Sequence, residues 1–195
     1  MERADSIAMD AHKWLFQPFE VGCLMVKDVR KLEAAFSVQP EYLQDTQWGA
    51  DHPNFGDRGL QLSRSFRALK IWMSIQTFGM AAFRRAVGRG IELAAQAEAY
   101  VRESVVLQIA NPASLGIVCF RVNPRGSDLS DDRLEKVNEA VQARVIESQV
   151  AMMSSTRLRG LYSLRLCILN HTTTWDDVRE TLRSIEKFGR EALSA

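Results

Sequence analysis

The chain has 195 residues, 46% of them hydrophobic and 25% charged, which is the composition of a globular protein with a substantial core. A formal net charge of +1 excludes a global field that would gather nucleic acid or acidic lipid. No apolar run reaches the roughly 20 residues a membrane helix needs, and the opening MERADSIAMDAHKW lacks the apolar stretch of a secretory signal.

Residues 21–26, VGCLMV, follow a Pro-containing turn and predict a short buried strand. Residues 28–36 suit a helical turn or two, with Leu32, Ala35 and Phe36 inward. From 37 to 59, Pro40, Gly49, Pro53, Asn54, Gly56, Asp57 and Gly59 break every period, so a long loop is expected. Its aromatics, Tyr42, Trp48 and Phe55, suit a mobile lid better than a plain linker. Helical periodicity starts at Ser63, with Phe66, Leu69, Ile71, Trp72, Ile75 and Phe78 in one wide stripe and Gly79 as a break. A second long helix is predicted over 81–106, with Phe83, Val87, Ile91, Ala94 and Ala97 along one side. Gly88 and Gly90 weaken its early turns and leave room for another backbone.

After Asn111 and Pro112 the texture changes. Residues 115–122, LGIVCFRV, read as a strand ended by the turn signal NPRGSD. Ser130 is placed to cap a helix whose first turn carries Asp131 and Asp132 and whose buried face is Leu134, Val137, Val141 and Val145. Residues 151–156 and 161–169 are two further strands joined by a short Arg-rich turn. Thr174 with Asp177 three residues on is a short-armed capping box for a last helix, with Val178, Leu182 and Ile185 inward. From 115 onward the pattern predicts a small α+β domain with helices on one face of a largely antiparallel sheet. The domain reading is therefore 1–110 and 111–195. Cys23, Cys119 and Cys167 are far apart in apolar runs and read as buried free thiols, which points to a reducing compartment and, by default, the cytoplasm.

The segment ADSIAMDAHKWL carries the densest chemistry. Lys13 lies between His12 and Trp14, with Asp10 two residues before the histidine. A lysine with reduced hydration becomes a nucleophile near neutral pH and can condense with a carbonyl. Local pattern alone favours a surface lysine beside an ordinary histidine. His52, His171 and the scattered cysteines have no metal-ligand spacing, so no metal site is expected. There is no glycine-rich phosphate motif.

This segment resembles the signature of the group II pyridoxal-phosphate-dependent amino-acid decarboxylases, in which an ADS motif leads into D/N-x-HKW. QPEYL at 39–43, SRSFRALKIW at 63–72 and LRLCILNHTTTWDDV at 164–178 resemble further family stretches in the same order. The aromatic-amino-acid branch fits best. The resemblance implies an α/β chain of the fold type I transferase class, the end of a large cofactor domain followed by the small α+β domain. It implies that Lys13 carries pyridoxal 5'-phosphate as a Schiff base, with His12 and Asp10 near the cofactor phosphate. Many relatives have asparagine where this chain has Asp10, which suits holding the loop better than holding a phosphate. Trp14 and Phe19 would shape the pocket wall. Tyr42, in the loop at about 37–59, would return a proton to the substrate's Cα. Relatives that form aldehydes tend to replace that tyrosine, so Tyr42 favours amine formation.

Arg64 and Arg67 read either as partners of the preceding loop or as residues near the pocket, and Arg165 as one half of a buried ion pair. The implied function is that of a lyase, a homodimer in its full-length form, acting on a small amino acid, without nucleic acid or membrane. Only twelve residues precede Lys13, so the family's upstream phosphate cradle and pyridinium partner are expected to lie in a longer parent. The chain alone would then be inactive. The alternative is a non-catalytic chain serving at most as an interaction or dimerisation module.

Overall fold

The computed structural model describes residues 2–37 and 52–194, in two compact units, 1–77 and 78–195. The QPEYL segment with Tyr42, and Trp48, lie outside the described residues.

In the first unit, β1 (Ser6–Asp10) and β2 (Gly22–Val26) form an antiparallel pair with Ser6 opposite Val26 and Asp10 opposite Gly22. The predicted strand at 21–26 is present, but Leu24 and Met25 are exposed. A two-stranded ribbon has no second layer to bury both of its faces. Ser6, in the informative segment, is a strand residue. Between the strands lies the four-residue helix α1 (Ala11–Trp14). After β2 come α2 (Arg30–Phe36) and a 3₁₀ turn at Phe55–Arg58. Leu32 and Phe36 are half-buried and Ala35 is exposed. Arg58 ties the turn to α2 through Glu33 at 2.8 Å.

Helix α3 (Ala68–Glu103) begins five residues later than its pattern suggests, and Gly79 interrupts it with φ 73° and ψ 152°. The second unit begins here. The turns after Gly79 supply Leu93, Ala94, Ala97 and Val101 to its core, so this unit starts well before Asn111, where the composition changes.

That core lies on one face of a four-stranded antiparallel sheet of order β3-β4-β6-β5, made of β3 (Leu107–Ser114), β4 (Ile117–Val122), β5 (Ser154–Leu158) and β6 (Leu161–Cys167). Val118, Phe120 and Val122 alternate inward along β4 and meet Leu164 and Leu166 of β6. Helices α4 (Asp131–Glu147) and α5 (Trp175–Ser194) complete the cover with Leu134, Val137, Val141, Val145, Val178, Leu182 and Ile185, as their periodicity predicts. Ser130 accepts the N–H of Arg133, and Thr174 and Asp177 cap each other reciprocally, Thr174 N–H to Asp177 at 2.8 Å. Arg159 and Gly160, at φ 54° and 83°, form the two-residue turn of the β5–β6 hairpin.

Strand β3 is not legible in the sequence. It holds Pro112 and two register shifts, which an edge strand tolerates and a central one does not. Gly90 meets its expected backbone neighbour: a Cβ there would lie 2.9 Å from the carbonyl oxygen of Ile168. The three cysteines are free, as expected, but half-buried rather than buried. Cys119 and Cys167 lie on the sheet face away from the core, and partial burial still pushes the Cys119 thiol up. Arg165 makes no ion pair among the described residues. It shares the open face and lends a long hydrogen bond to Ser154 at 3.5 Å.

Candidate functional site

The site is organised by how the chain leaves β1. Asp10 is extended, at φ −93° and ψ 98°, and one turn of α1 follows it. The chain then doubles back: Phe16 N–H reaches Lys13 O at 3.3 Å, and Gln17 N–H reaches Ala11 O at 3.2 Å. His12 closes the ring by gripping Val21. Its Nδ1 lies 3.1 Å from Val21 O and 3.4 Å from Val21 N. One ring nitrogen can serve only one of these at a time, and the shorter contact makes Nδ1 the donor to the carbonyl. The Phe19 ring stands edge-on to the imidazole, with centroids 5.2 Å apart.

Ala11, Gln17 and Val21 are the buried residues of this unit among those described. Gln17 is a buried amide satisfied at both ends. It donates to Leu15 O at 2.7 Å and accepts from Ser74 Oγ at 3.1 Å. The first turns of α3 hold the same segment from outside. Lys70 Nζ donates to the carbonyls of Pro18 and Glu20, each at 2.9 Å, and Arg67 Nε donates to Glu20 at 3.0 Å. Arg67 thus forms its ion pair with Glu20 of the Lys13 loop rather than with the loop just before the helix, where it reaches Gln61 through a long hydrogen bond at 3.5 Å. Arg64 lies over the Phe55 ring at 5.2 Å. Gln17, Ser74 and Lys70 are positioning residues that sequence reasoning missed, because a grip made across 50 residues of chain leaves no local signature.

Lys13 projects from this stapled loop with its side chain 58% exposed, and Asp10 Oδ2 lies 2.7 Å from Nζ. The hydrogen bond and charge of Lys13 hold the Asp10 carboxyl below the usual carboxylate range. Lys13, His12 and Asp10 are thus together, while Tyr42 lies outside the described residues. An accessible amine fits an aldehyde ligand. With Nδ1 spent on Val21, the other nitrogen of His12 can donate to a phosphate oxygen only when the ring is doubly protonated. Asp10 does not fit a phosphate, since like charges would face each other. Among the described residues no three His, Cys, Asp or Glu side chains are grouped to hold a metal ion. No described helix is long and apolar enough to cross a membrane.

Residues 1–123 match the family model for the pyridoxal-dependent decarboxylase conserved domain. The chain is 39% identical over 193 residues to an aromatic-L-amino-acid decarboxylase of Bacillus atrophaeus, covering 98% of this chain and 40% of the relative. It is 33% identical to a phenylacetaldehyde synthase of a Rosa hybrid cultivar, covering 89% of this chain and 35% of that one. Among solved structures, Oryza sativa TDC with PLP and tryptamine superposes with a TM-score of 0.88 at 26% identity, over 97% of this chain and 39% of that one. The chain therefore spans about 40% of the length of the relatives it matches.

Proposed function

Because the chain belongs to the pyridoxal-dependent decarboxylase family, we propose that it supplies the lysine side of a site that removes carbon dioxide from an aromatic L-amino acid. Pyridoxal phosphate, the family's cofactor, draws electrons from the substrate's Cα when bound, so that the carboxylate can leave. Lys13 would hold the cofactor covalently. His12, once doubly protonated, would donate to its phosphate. Trp14 and Phe19 would wall the pocket, and Tyr42 would return a proton to Cα, yielding an amine. The observation that carries this reading is an accessible lysine amine on a loop stapled from both sides.

An exposed amine does not exclude water, which this chemistry needs. The chain by itself is expected to release no carbon dioxide and to take up the cofactor only weakly. We place the working enzyme in a homodimer of a longer protein, in the cytoplasm, where three unpaired cysteines are stable. The test is reduction with borohydride in the presence of pyridoxal 5'-phosphate, followed by peptide mapping. The cofactor should appear on Lys13 ahead of Lys27, Lys31, Lys70, Lys136 and Lys187. An even spread over these lysines would overturn the reading.

A second reading, of a non-catalytic chain that serves as a dimerisation module, has its own support. Phe19, Phe66 and Trp72 are 82%, 74% and 60% exposed in the first unit, and apolar surface of this kind marks an interface. Under this reading the chain self-associates, and Lys13→Ala leaves that association intact. Sedimentation as a monomer over a wide concentration range would rule it out.

A further inference from the structure

We infer that Asp10 is the resting counter-ion of Lys13, a latch that an incoming aldehyde must open before the lysine can react. This rests on the reading of Lys13 as the cofactor-bearing residue.

Asp10 stands at the N-cap position of α1, where an aspartate side chain ordinarily accepts a backbone N–H two or three residues on. Here it makes no such bond. Its carboxylate is turned to the lysine amine one helical turn later, at 2.7 Å. A carboxyl held below its usual range stays ionised throughout the neutral region, so the pair is closed wherever the protein would work. The same negative charge makes Asp10 a poor phosphate ligand, so the division of labour in the motif follows: Asp10 faces the amine, and any phosphate contact falls to His12.

The chemical consequence concerns the first proton. To condense with an aldehyde, the ammonium gives one proton to water or buffer, and the freed electron pair adds to the carbonyl carbon. The nitrogen then passes one proton to the former carbonyl oxygen, a second proton from solvent lets that oxygen leave as water, and the carbon–nitrogen double bond forms. The Asp10 carboxylate holds that nitrogen at 2.7 Å, so this contact must break before the electron pair can reach the carbonyl carbon. Lys31 and Asp5, 3.9 Å apart and both exposed, give a looser pair in the same unit for comparison.

The test is competitive acylation of the full chain by trace succinimidyl acetate, with rates at each lysine read by mass spectrometry. Asp10→Asn should raise the rate at Lys13 by about two- to fivefold, the range expected for an exposed ion pair, and leave Lys27 and Lys187 unchanged. Asp10→Glu keeps the charge and should stay close to the parent rate. Asp5→Asn should leave Lys13 untouched. Should Asp10→Asn unfold, the parent chain still decides the matter: high salt should raise the Lys13 rate relative to Lys27 by screening the pair. An unchanged Lys13 rate in Asp10→Asn, a rise shared by all lysines, or no salt effect in the parent would overturn the inference. Borohydride mapping with pyridoxal 5'-phosphate on the same samples separates the two readings. Label that misses Lys13 in both proteins defeats the proposed function while leaving the acylation result to judge the latch.

Discussion

Gln17→Met removes the buried amide beneath the Lys13 loop while keeping nearly the same length of side chain. Two hydrogen bonds are lost, the one to Leu15 O at 2.7 Å and the one from Ser74 at 3.1 Å. Ser74 keeps its bond to Lys70 O at 2.8 Å, so only the Leu15 carbonyl is left without its donor. At about 1 kcal/mol net for each bond the cost is about 2 kcal/mol, and it falls on the loop because Gln17 is 5% exposed and sits at its centre. Local opening should therefore become roughly thirtyfold more frequent, at 1.4 kcal/mol per factor of ten. Native-state hydrogen exchange reads this at two amides, Phe16, bonded to Lys13 O, and Gln17, bonded to Ala11 O. Val118 and Phe120, in the other unit, should exchange as before. Ser74→Ala should give part of the effect and add little in the double variant, because both substitutions remove one shared bond. Less than a threefold change at Phe16 and Gln17 would mean that the outer grip of Lys70 and Arg67 holds the loop without the buried amide.

Three further outcomes follow from the second unit. Asn138 is fully buried and bonds Val122 at both N–H and C=O, at 2.7 and 3.0 Å. Asn138→Ala should cost about 3 kcal/mol, mostly from those two stranded backbone groups; a denaturant-melt loss under about 1 kcal/mol would refute this. Gly90→Ala should destabilise by about 1–2 kcal/mol, since the Ile168 carbonyl must move and the helix-propensity gain of about 1 kcal/mol does not compensate. Gly88→Ala, with nothing near the added Cβ, should stabilise, and thermal melts that rank the two alike would reject the argument. The Glu98 carboxyl is held below its usual range first by the Ala113 N–H at 2.6 Å and then by Arg102. A depressed carboxylate contributes stability at neutral pH that is lost as pH falls through its lowered value. Glu98→Gln should therefore flatten the acid limb of the stability curve below about pH 4, the ordinary carboxylate range, and an unchanged limb would count against it.

What the sequence by itself determined is whatever depends on neighbours along the chain. Ser130, the Thr174–Asp177 box, the Leu134 to Val145 stripe and the Arg159–Gly160 turn follow from periods and caps that close within a few residues. The HKW motif likewise singles out Lys13 as the candidate lysine from the sequence alone. The tertiary structure alone decided the rest. Strand β3 exists because β4 offers it an edge, although its own residues include Pro112 and no clean alternation. The stripe of Phe66 and Trp72 is legible as an apolar period, but burial is a property of what lies opposite, and these side chains are exposed. Asp10 reads as a residue near the cofactor phosphate or one that holds the loop, and only the path of the chain turns it onto Lys13. The loop that presents that lysine is held by Lys70 and Ser74 from 50 or more residues away. Contacts of that span are set by the folded backbone, because no local interval in the sequence records which distant side chain will arrive.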